Sequence, residues 1–307
     1  MRTGKYPENA YKRSVQKYLQ KSHNRTITSL RQTALTYEMA PAVFLQDAVN
    51  EIYASKAEPL FFTAGLAVPP DLEEKTVSNL MKDLSQAGKK EGVPFSGAEV
   101  TTMENVLAPV LQITVTGERE AEPDTDCKRA DVVLAGTVAM AGSGILAVTQ
   151  ESELLKKFSS PFIKQAQEFL SCLSVKKATQ TAFQNGAVAG YSLGEGGVFA
   201  GLWRFAAMHG AGLSVDLRAI PIRQETVEIC ECFQLNPYQL LSTGAILLST
   251  PNGADLVEVL HGEGVEAELI GSIREGNDKV VCNDTETRYL ELPQEDEIHR
   301  FFGRQDK

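Results

Sequence analysis

Apolar positions along this chain follow two rhythms, one near 3.6 residues and one near 2. Tyr11, Val15, Tyr18 and Leu19 recur at helical spacing and predict a surface helix over 8–21. Residues 22–37 show neither rhythm and read as polar and irregular. From Pro41 to about Ala57, the residues Val43, Phe44, Ala48, Ile52 and Tyr53 form one broad apolar face, a second helix. The compact run at 59–69 reads as a strand ended by Pro69-Pro70. Asp71 is the expected N-cap of the next helix, whose stripe is Val77, Leu80, Met81, Leu84 and Ala87. That helix starts acidic (Glu73, Glu74), ends basic (Lys89, Lys90) and stops at Gly92. Strands are predicted at 93–102 and 110–118. The charged stretch 118–131, with Pro123, marks a domain boundary.

The second half opens with a strand at 131–139 and a glycine-punctuated apolar segment at 140–148. A helical stretch broken at Ser160-Pro161 and another at 174–186 follow. Further strands are expected at 187–193, 213–221, 245–250, 266–275 and 278–284, with helices at 198–208, 223–233 and 252–265 between them. Strands alternating with helices predict helices covering a sheet. One junction stands out. Ala187–Leu193 leads through Gly194-Glu195-Gly196-Gly197 into an apolar helix. A strand, a glycine turn and a helix place free N–H groups where phosphate can bind; the same turn also serves tight backbone packing.

Composition narrows the function classes. With 307 residues and 43% hydrophobic content, two ordinary domains are expected. A formal net charge of -10 disfavours nucleic-acid binding. No apolar run is long enough to span a membrane, and the basic N-terminus lacks the apolar core of a secretory signal. Five scattered cysteines (Cys127, Cys172, Cys230, Cys232, Cys282) suit free thiols in a cytoplasmic location. The histidines His23, His209, His261 and His299 have no metal-ligand spacing. Arg218 and Arg223, on either side of Pro221, are candidate anion contacts or solvated surface.

Several stretches together resemble the aminoimidazole-ribonucleotide (AIR) synthase superfamily, and its hydrogenase-maturation HypE branch in particular. They are AGSGILAVTQESELLKKFSSPF (141–162), the segment 195–230, LNPYQLLSTGAILLST (235–250) and ELIGSIREG (268–276). The first half is similar more loosely through 48–70 and 92–102. The resemblance covers residues 41 to 292. It implies an α/β fold with an α+β N-terminal part, in a two-domain AIR synthase (PurM)-like architecture. The expected layout is an N-terminal helix and linker (1–40), a shortened N-terminal domain (41–120), a C-terminal domain (131–292) and a polar tail (293–307).

The resemblance also implies ATP and magnesium as cofactors, since the family activates an amide or acid oxygen with ATP. Where the family has an Asn-Asp pair, this chain has Asn50-Glu51. Where the family reads Gly-His-x-Glu, it has Ser96-Gly97-Ala98-Glu99. Where the family reads His-Asp-x-Thr-x-Gly-Gly, it has Tyr191-Ser192-Leu193-Gly194-Glu195-Gly196-Gly197. The implied nucleotide contacts are Asn50, Gly194, Glu195, Gly196 and Gly197, and the implied magnesium ligands are Glu51 and Glu99. Both acids also fit plain solvated carboxylates. The family's acidic glycine-rich strand has no counterpart in 22–40, where Glu38 is the one acid. No cysteine follows Cys282, so carbamoyl dehydration on the chain's own tail is not expected. The resemblance implies a homodimer and a maturation-partner protein. Two functions stay open: a HypE-like, ATP-binding protein of hydrogenase or related metallocentre maturation with weak or lost catalysis, and a non-catalytic scaffold keeping the fold.

Overall fold

The computed structural model describes residues 8–19, 25–35, 40–119, 129–284 and 286–305. His23, Glu38, Cys127 and most of the 118–131 boundary lie outside these residues. The chain forms two compact units, His23–Glu122 and Met1–Ser22 with Pro123–Lys307. Helix α1 (Glu8–Ser14) gives way to a single 3-10 turn, so the first predicted helix is shorter than its spacing suggested.

The first unit holds β1 (Thr26–Ala34), α2 (Ala40–Ala54), β2 (Glu58–Val68), α3 (Glu74–Glu91), β3 (Phe95–Thr102) and β4 (Val110–Glu118). The sheet order is β1-β4-β2-β3; β2 and β3 run parallel around α3, and the other pairs are antiparallel. Phe62, Ala64 and Leu66 of β2 and Leu111, Ile113 and Val115 of β4 are buried on one face, beneath α2 with its buried Ala48, Val49 and Ile52. The opposite face stays open and carries Leu30, which is 53% exposed. Strand β1 corrects the irregular reading of 22–37. Ser29, Arg31 and Thr33 are covered beside Ile27, and its apolar Leu30 faces out, so polar side chains hold most inward positions and mask the strand's alternation. Asp71 does not cap α3 either: Glu73 holds the N-cap position, without a side-chain bond. Gly92 ends α3 in the left-handed region, φ 72°.

The second unit follows with β5 (Asp131–Ala135), α4 (Met140–Thr149), α5 (Glu151–Leu154), α6 (Ser160–Glu168) and α7 (Lys176–Gln184). Next come β6 (Ala189–Ser192), α8 (Gly197–Met208), β7 (Gly212–Asp216), α9 (Gln224–Phe233) and β8 (Ile246–Thr250). The unit closes with α10 (Gly253–Gly262), β9 (Ala267–Arg274), β10 (Lys279–Asn283), β11 (Glu286–Tyr289) and α11 (Glu297–Gln305). The sheet order is β11-β10-β7-β9-β5-β8-β6, antiparallel except for β7 with β10. Val198, Leu202 and Phe205 of α8 pack with Val132, Leu134, Leu213, Leu247 and Ile270 of the sheet. The glycine-punctuated segment is helix α4, buried from Ala141 to Ala147. The stretch read as a polar tail carries α11, with Ile298 and Phe301 buried and Phe301 edge-on to Phe233 at 5.0 Å. Among the described residues no helix is long and apolar enough to cross a membrane.

Candidate functional site

The glycine turn forms as its sequence suggests. Gly196 (φ 85°) and Gly197 (φ 66°) are both left-handed, a region L side chains rarely adopt. A Cβ on Gly197 would come within 2.5 Å of the Tyr238 carbonyl oxygen, so the turn is also closely packed. The Gly197 N–H donates to the Gly194 carbonyl at 3.1 Å, and that carbonyl also accepts from the Ser242 N–H at 3.2 Å.

The Gly196 N–H, the donor that the phosphate reading relies on, donates to Asp296 Oδ2 at 2.6 Å. The other carboxylate oxygen of Asp296 accepts from the Leu241 N–H at 3.2 Å and the Ile298 N–H at 2.8 Å. A fully buried carboxylate of the chain itself therefore sits at the start of α8, where the helix dipole favours an anion. Burial pushes the Asp296 carboxyl up, against the pull of its N–H donors and of His299. Glu195 Oε1 lies 3.4 Å from His299 Nε2. Burial lowers the His299 pKa, but the Glu195 hydrogen bond and the neighbouring carboxylates outweigh it and raise the value overall. The Glu195 carbonyl accepts from Arg204 Nη1 at 3.1 Å. Of the predicted nucleotide contacts, Gly194, Glu195, Gly196 and Gly197 form one turn whose described partners are protein groups.

In the first unit, Asn50 is fully buried and accepts from Gln46 Nε2 at 2.9 Å. Glu51 Oε2 accepts from Ser29 Oγ at 2.5 Å and from Arg31 Nη1 at 2.6 Å. The Arg31 Nε also donates to Asp47, which is buried one turn before Glu51 on α2. Burial alone would lower the Arg31 pKa; Asp47 and Glu51 raise it far above its ordinary value. Glu99 is exposed on the edge strand β3 and registers with Gly65. A Cβ on Gly65 would face Gln112, on the open side of the sheet, whereas Ser29 and Arg31 hold Glu51 on the α2 side. Glu51 and Glu99 are therefore not brought together within one copy of the chain. Among the described residues no group of three or more His, Cys, Asp or Glu could hold a metal ion. The implied magnesium does not fit Glu51 and Glu99 as placed.

Arg218 pairs with Asp216 and Asp284, and Arg223 with Glu266 at 2.7 Å, so both are surface ion pairs. Sequence reading missed Asp296, Asp47 and Arg31. A signal existed for Asp296, which precedes an apolar helical period at Ile298 and Phe301 and caps α11 through the Ile298 N–H. Asp47 stands four residues before Glu51, a spacing that puts both acids on one helix face.

A small helix-backed sheet unit joined to a larger one, with a glycine turn opening a core helix, is the two-domain fold of AIR synthase-type proteins. The chain belongs to the AIR synthase related family: residues 30–119 match its N-terminal domain and residues 131–283 its C-terminal domain. It is similar to the carbamoyl dehydratase HypE of Rhizobium leguminosarum bv. viciae, 24% identical over 233 residues. That match takes in 73% of this chain and 65% of the relative. The fold is similar to E. coli HypE, a hydrogenase maturation protein, with a TM-score of 0.74 and 18% identity over 89% of this chain and 87% of that one. It is also similar to HypE in a HypE–HypF complex, with a TM-score of 0.70 and 16% identity over 88% of this chain and 91% of that one. HypE in complex with ATP gives a TM-score of 0.65 and 16% identity over 89% of this chain and 87% of that one.

Proposed function

We propose that this chain is a HypE-like, ATP-binding protein of hydrogenase or related metallocentre maturation, in which catalysis is weak or lost. The observation that carries the reading is the presence of both family domains, in a chain whose similar structures include HypE with ATP. The engagement of the family's ligand positions by protein groups, Gly196 with Asp296 and Glu51 with Arg31, supports the loss of catalysis. The same engagement favours a second reading, a scaffold that keeps the fold and binds no nucleotide. The partner is a maturation protein, a reading supported by the HypE–HypF complex among the similar structures. The active form is a homodimer joined through the open face of the four-stranded sheet, where Leu30 and Phe61 are exposed. The setting is the cytoplasm, in keeping with four free cysteines among the described residues.

Calorimetry with ATP separates the two readings. Binding on the order of micromolar, weakened by Gly196→Ala, supports the nucleotide reading. No heat at millimolar ATP, with the protein folded, leaves the scaffold.

A further inference from the structure

The acidic face of α2 has the chemistry of a cation site. Asp47 and Glu51 stand one turn apart and point to one place, and like charges at that spacing repel unless a cation lies between them. The chain supplies that cation itself: the guanidinium of Arg31, from the neighbouring strand β1, donates to both acids. Its side chain is 14% exposed and that of Asp47 5%, so this pair is largely desolvated, while Glu51, 46% exposed, reaches the solvent. Ser29 adds a hydroxyl donor to the same Glu51 oxygen.

We propose that Arg31 is the built-in cation of this carboxylate pair, so that the α2 face takes no divalent metal. Three features support it. The guanidinium carries its charge at every accessible pH, so it cannot leave the site by losing a proton, as a lysine could. Its fork of N–H donors matches two carboxylates in a fixed geometry. Magnesium needs near-octahedral oxygen ligands and dehydrates reluctantly, and the Glu51 oxygen it would take already accepts two hydrogen bonds. The proposal concerns metal alone and stands apart from the nucleotide reading.

The test uses Mn2+ as the probe, titrated into the full chain without nucleotide and followed by the electron paramagnetic resonance signal of the free ion. Wild type shows no site that depends on Glu51: Glu51→Gln leaves its titration unchanged. Arg31→Met, shown to be folded by circular dichroism, gains one Mn2+ per chain at least tenfold tighter than wild type, and Arg31→Met/Glu51→Gln loses it. Arg31→Lys, which keeps a cation, behaves as wild type. A stoichiometric Mn2+ site in wild type that Glu51→Gln abolishes overturns the proposal, as does a folded Arg31→Met that binds no Mn2+. Where Arg31→Met does not fold, the wild-type and Glu51→Gln titrations decide alone. Because no nucleotide is present, a chain that fails to bind ATP leaves this result untouched.

Discussion

Glu51 and Glu99 stand on opposite faces of one four-stranded sheet. Glu51 is held by Arg31 and Ser29 on the face that α2 covers, and Glu99 shares a register position with Gly65 on the open face. Two acids that a family pattern places in one ligand set thus have different neighbours and different worth.

Asp47→Ala is expected to destabilise the chain by roughly 2–3 kcal/mol, because it removes the buried partner of the guanidinium and leaves it the part-exposed Glu51 alone. Glu51 is 46% exposed at its side chain, so Glu51→Gln costs about 1 kcal/mol or less. Glu99→Gln, on an exposed edge strand, stays within about 0.5 kcal/mol. Urea denaturation ranks the three; equal losses for Asp47 and Glu99 would contradict the placement.

The open sheet face yields a prediction about association. Leu30→Glu and Phe61→Glu put charge on exposed positions and, if the proposed homodimer forms through this face, turn it into monomer while leaving circular dichroism unchanged. Sedimentation equilibrium reads it, and a wild type that is monomeric at all concentrations removes the dimer.

Gly197→Ala is expected to cost more than about 1 kcal/mol, since the residue is left-handed and a Cβ would meet the Tyr238 carbonyl. Gly262→Ala is the counter-case. It sits in α10 with nothing within 4 Å of the added carbon and is expected to stabilise by about 0.4–1 kcal/mol. Thermal melts of the two variants should move in opposite directions.

The His299 and Asp296 pair sets a pH dependence. Both pKa values are raised in the folded chain, so both groups hold protons more tightly folded than unfolded. Their contribution is full below the unfolded values and is lost as pH rises through the folded ones. For His299 that loss begins near its ordinary value of about 6.5 and runs upward. Denaturant midpoints taken between pH 6 and pH 8.5 should therefore converge for wild type and His299→Gln, with wild type the more stable at the acidic end. A gap that widens with pH would reverse the sign.

How much of this was legible in the sequence depends on where apolar residues point. Helices α2 and α3 and strands β2 and β4 have apolar stripes facing the core, and their periods place them to within a few residues. Strand β1 escapes because Ser29 and Arg31 face inward and Leu30 faces out. Helix α4 escapes because Gly142 and Gly144, buried against Leu240 and Leu170, read as breaks. The glycine turn was legible as a shape. Its partner was not, because Asp296 lies in an acidic run whose composition suggests solvent.

The bond from Gly196 to Asp296 spans one hundred residues of chain. On a ribosome adding about 5–20 residues each second, the turn is made some 5–20 s before its carboxylate exists. During that interval the Gly196 N–H lacks its carboxylate partner. A chain stalled just before residue 296 would therefore carry every strand of the second sheet while the opening turn of α8 still lacked its carboxylate and α11 had not yet covered Phe233.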